Sequence, residues 1–91
     1  MRDKQFLINS IKMDLYRVVT AAGDTNKELP KQSIIEFMEH ANKDFEKVEL
    51  TDREKGLKQE LQNLLDRLSQ IRDPLSRLRW TEDVMTIRCR L

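Results

Sequence analysis

The sequence predicts an all-α fold, with three to four antiparallel helices in a small bundle. Three observations carry this expectation. Apolar residues recur at steps of three and four along most of the chain, the spacing of a helix face. Only two Gly and two Pro occur in 91 residues, so breaks are few. Charged residues make up 36% and apolar residues 38%, and Leu, Glu, Lys, Arg and Gln dominate, the profile of helical bundles and coiled coils. Periodic apolar residues with a net charge of only +1 argue against disorder. The length suits one domain, residues 1–91, with one modest core.

The first helix is predicted over about residues 3–22. Ile8, Ile11, Leu15, Val18 and Ala22 step by three and four, and Gly23 follows as a natural left-handed cap. The stretch GDTNKELP reads as a loop. The second helix is predicted over 30–49, with Pro30 in its first turn and Ile34, Phe37, Met38, Ala41, Phe45 and Val48 on one face. The third is predicted over 52–72. Thr51 and Glu54 have the spacing of a capping box. From there Leu57, Leu61, Leu64, Leu68, Ile71, Leu75 and Leu78 form a strict, coiled-coil-like seam.

Pro74 sits inside that seam. Within a helix it would cost about 3 kcal/mol, whereas Asp73 is a good N-cap and Pro74 a good first helical residue. A fourth helix is therefore predicted over 74–88. The unbroken leucine spacing predicts that it leaves nearly collinear with the third across Asp73-Pro74 and keeps facing the same core. The tail MTIRCRL alternates like a strand. A lone strand would leave its backbone groups unpaired, so helix through about Arg88 is the expectation, with a tail paired to another chain as the alternative.

Two helices are apolar on two faces. On the first, Phe6 and Met13 lie opposite the Ile8/Leu15 stripe, with Tyr16 beside them. On the fourth, Trp80, Val84, Ile87 and Leu91 form one stripe and Leu75, Leu78, Met85 and Cys89 another. A helix of this kind usually touches two things. The reading is a non-enzymatic interaction or assembly module forming a helical homo-oligomer, most simply a dimer. Phe6, Met13, Tyr16, Trp80, Val84, Ile87 and Leu91 are the predicted contact residues.

Charge is uneven. Residues 36–66 carry nine acids against five bases, and residues 67–91 carry six arginines against three acids. The alternative function is therefore a regulatory nucleic-acid-binding module using Arg77, Arg79, Arg88 and Arg90, with Trp80 for stacking. The near-neutral total and the acids interspersed before this segment weigh against it.

Chemistry-bearing residues are sparse. Glu36, His40 and Asp44 recur every four residues, a helix column that could hold a divalent metal and that a solvated face also produces. The segment HANK resembles the histidine phosphotransfer domains, helical bundles with an exposed histidine and a lysine three residues on. The resemblance implies His40 and Lys43 in those roles. It covers only these residues and departs at Asp44, where that family has a small residue. Cys89, the lone cysteine, has no base nearby and permits no internal disulfide. No glycine-rich loop and no catalytic constellation are present, so neither an enzyme nor a cofactor is expected. One cysteine and the lack of a long apolar run suggest a cytoplasmic chain without a membrane partner.

Overall fold

The structure is a computed structural model and describes residues 3–91. Four α-helices follow one another: α1 (Lys4–Gly23), α2 (Lys31–Glu46), α3 (Asp52–Arg67) and α4 (Pro74–Arg90), with a single 3-10 turn at Leu68–Gln70. No strand occurs among the described residues. Each helix packs antiparallel to the next, and α4 closes the ring against α1. This is an up-down-up-down four-helix bundle with short connections. The apolar stripes meet inside it: Ile8, Ile11, Leu15, Val18 and Ala22 from α1, Ile34, Met38, Ala41 and Phe45 from α2, Leu57, Leu61 and Leu64 from α3.

The helix starts follow local chemistry. The Asp3 carboxylate accepts the Phe6 amide at 2.7 Å, and the Asp73 carboxylate accepts the Ser76 amide at 2.8 Å. Thr51 and Glu54 form the reciprocal capping box: the Glu54 amide donates to Thr51 Oγ1 and the Thr51 amide to Glu54 Oε1. Pro30 stands just before α2 and offers no side-chain cap. The helix ends are less local. Gly23 is the last residue of α1 rather than a left-handed cap, and no glycine has a positive φ. The end of α1 and the loop that follows it turn their carbonyls instead to Arg77 of α4. Its guanidinium donates to Ala22 O, Lys27 O and Asp24 O, each at 2.7 Å. The cation also sits where the α1 dipole is negative.

The expected collinearity of α3 and α4 is corrected. Rising about 1.5 Å per residue, two helices of 16 and 17 residues set end to end would exceed the molecule's longest dimension, 41 Å. The chain reverses through the 3-10 turn and the extended residues Ile71 and Asp73, and α4 runs back along α3. Within the turn the Leu68 amide bonds to Leu65 O, which leaves Leu64 O to accept the Trp80 indole N–H at 2.8 Å. At the far end Arg53 donates to the Arg90 carbonyl. The reversal also rotates the seam. Leu75 and Leu78 do not continue toward the core; they are 59% and 50% exposed. The tail is helical to Arg90, as patterning with Trp80 and Val84 implies, with Ile87 buried and Leu91 half-buried against the core.

Three predictions follow from these contacts. Replacing Arg77 by Met should cost about 3 kcal/mol, since the buried Ala22 carbonyl and two partly buried ones lose a charged donor; urea unfolding measures it, and Arg77→Lys should recover only part because one ammonium cannot span three carbonyls. Gly56 lies inside α3, and a Cβ there would meet nothing within 4 Å. Gly56→Ala should therefore stabilise the chain by about 1 kcal/mol in the same measurement. The Lys4 ammonium, 2.6 Å from Glu54 Oε1, and the Thr51 amide hold the Glu54 carboxyl below its ordinary value of 4.5. A depressed carboxylate contributes stability above the unfolded value and loses it as pH falls through the folded one. Melting temperature should thus fall below about pH 4.5 more steeply in the wild type than in Glu54→Gln.

Candidate functional site

Within α1, Asp14 falls three residues after Ile11 and four before Val18, so it occupies a core position of the stripe. Asp44 does the same on α2, three residues after Ala41 and next to Phe45. Two carboxylates at core spacing on facing helices are the sequence signal for a buried polar cluster. The column Glu36–His40–Asp44 reads along one helix and misses it. The structure brings Asp44 and His40 together with Asp14 across the α1–α2 contact and leaves Glu36 outside, exposed and bonded to Gln32.

The cluster is ordered oxygen by oxygen. His40 Nδ1 lies 2.6 Å from Asp14 Oδ2 and 3.7 Å from Asp44 Oδ2. Ser10 Oγ donates to Asp44 Oδ2 at 2.7 Å. The outer oxygens face cations: Arg17 is 3.6 Å from Asp14 Oδ1, and Lys47 is 3.5 Å from Asp44 Oδ1. The Asp14 and Asp44 side chains are 5% and 3% exposed, while the His40 ring is 57% exposed. Burying two carboxylates is costly without such partners. Lys43, the other residue of the phosphotransfer-like segment, is exposed, and Asp44 points toward α1.

The predicted contact residues divide. Phe6, Met13 and Tyr16 lie at the surface, each more than half exposed. Trp80, Val84 and Ile87 do not: they are 4%, 0% and 1% exposed and belong to the chain's own core. Their assignment to a subunit contact is corrected, because α4 turns that stripe inward against α1 and α3. The stripe left outside is the second one, with Leu75, Leu78, Met85 and Cys89 all exposed. Tyr16 stands next to this side of α4, since the Arg88 guanidinium lies 5.6 Å from its ring centre and donates to Lys12 O.

The four arginines of the nucleic-acid alternative share no face. Arg77 is buried in capping α1, and Arg88 is half-buried on Tyr16. Only Arg79 and Arg90 remain exposed. Grooves are open and shallow. One of about 580 Å³ runs between the α1–α2 loop and the α3–α4 connection, past Glu28, Lys31, Arg72 and Asp73. Among the described residues, no helix is long and apolar enough to cross a membrane.

Comparison with protein-family models, with curated proteins and with solved structures finds no match to this chain.

Proposed function

We propose that the chain is a non-enzymatic assembly module in which the outer face of α4 pairs with the same face of a second copy. One observation carries this reading. Leu75, Leu78, Glu82, Met85 and Cys89 step by three, four, three and four along the outside of α4, and all five are exposed. That is an a/d seam, the pattern that packs knobs into holes against another helix. The chain's own four helices leave it uncovered, since α4 meets α1 and α3 with its other sides.

A second copy is the simplest occupant. A two-fold contact sets one patch against itself, so a single seam supplies both halves. Tyr16 on the neighbouring α1, held beside α4 by Arg88, widens the patch toward the ~800 Å² per partner of a standard interface. Glu82 interrupts the seam once. A polar residue at such a position lowers stability while fixing register, which suits an assembly that forms and separates.

Sedimentation equilibrium should show a species of twice 10.9 kDa in the micromolar range. Leu78→Glu and Met85→Glu should each weaken the dimer at least tenfold, or about 1.4 kcal/mol, with helicity unchanged because both positions are exposed. Glu82→Leu should tighten it. A monomer throughout the concentration range, unaffected by these substitutions, would sink the proposal.

A further inference from the structure

We propose that Asp14, His40 and Asp44 form a binding site for one divalent transition-metal ion, clamping α1 to α2. The inference is independent of self-association, because the site lies on the α2 side of α1 and the seam on α4.

The donor set is the first argument. Two carboxylate oxygens and an imidazole nitrogen are mixed oxygen and nitrogen ligands of the kind zinc and its neighbours take. Their atoms all lie within 4.8 Å of one another. Bonds of about 2.0–2.2 Å place neighbouring donors about 3.0–3.5 Å apart. The pairs at 2.6 and 3.7 Å from Nδ1 bracket that range. A small rotation of the exposed His40 ring brings them into it.

Preorganisation is the second argument. This is no surface patch of acids, since both aspartates are more than nine-tenths buried and come from different helices. Arg17 and Lys47 occupy the outer oxygens, so each carboxylate turns Oδ2 inward. Both inner oxygens face Nδ1, which makes one point between two helices electronegative from two sides. A cation belongs there, and a dication answers two carboxylates more fully than a single proton on the imidazole. Ser10 holds Asp44 Oδ2 as an outer-shell partner holds a ligand.

Access is the third. The His40 ring is the exposed member of the three and forms the outer wall, so an ion enters from solvent without opening the core. Solvent supplies the remaining coordination positions.

The test uses the full chain without an affinity tag and with Cys89→Ser, which removes the exposed thiol as a competing ligand. Calorimetric titration with zinc should show one saturable site per chain. His40 is the sole histidine. A long-range proton–nitrogen spectrum therefore reads the ion directly, and zinc should shift the Nδ1 resonance at the same stoichiometry. His40→Gln and Asp14→Asn should each weaken binding at least tenfold, and magnesium and calcium, which prefer oxygen, should bind at least tenfold more weakly than zinc. No saturable binding, binding that leaves the imidazole nitrogens unmoved, or equal affinity for calcium would overturn the site. Should Asp14→Asn fail to fold, the nitrogen spectrum of the chain with native Asp14, His40 and Asp44 decides alone.

Discussion

The bundle depends on α4 reaching sideways to finish the helices beside it. Arg77 satisfies the end of α1, and Trp80, three residues later on the same side, satisfies Leu64 O near the end of α3. Helices leave their last carbonyls without internal partners, and a buried end without a donor is costly. Here neither end closes with a left-handed glycine. One helix supplies both caps, so the position of α4 along its axis is fixed at two points. This explains Asp73-Pro74. An N-cap and a proline at the first helical position set where α4 begins, and Arg77, one turn in, then meets the end of α1. A start shifted by one residue would swing Arg77 about 100° away from those carbonyls.

Local rules made much of the fold legible. The four helices, the Thr51–Glu54 capping box, the Asp73 cap and the inner stripes of α1, α2 and α3 all follow from spacing and from side chains within four residues. What was not legible depends on the direction of the chain after Gln70. Leu75 and Leu78 keep perfect register with Leu64 and Leu68, and register along a helix carries no information once the chain reverses. The same reversal exchanges the two stripes of α4, so that Trp80 goes in and Met85 comes out. Arg77 is the clearest case. As a residue in an arginine-rich segment it reads as surface charge, yet it is buried by carbonyls fifty or more residues away in sequence.

The polar cluster shows a different limit. Asp14 and Asp44 each stand at a core position, and that alone marks them as paired with something. Which partner meets them is a property of the α1–α2 contact. Antiparallel packing sets Ser10 against Asp44, Asp14 against His40 and Arg17 against Phe37, a ladder whose residue numbers add to the same total. A reading confined to one helix finds Glu36 as the third ligand-type residue. Only the register between two helices replaces it with Asp14.

The arrangement also separates what the chain does inside from what it offers outside. α1 lies between α2 and α4 and carries the polar cluster along one border and Tyr16 along the other. The cluster replaces apolar packing with ion pairs at the α1–α2 border. Such pairs add little net stability compared with apolar residues of similar size, but they are strongly directional. They can fix the register of α1 on α2 without disturbing α4. The α4 seam is the reverse: apolar, directional only through Glu82, and outside the core, so its residues can change without unfolding the bundle. On the proposed reading, such a surface tunes association independently of the fold beneath it, which is the property an assembly module needs.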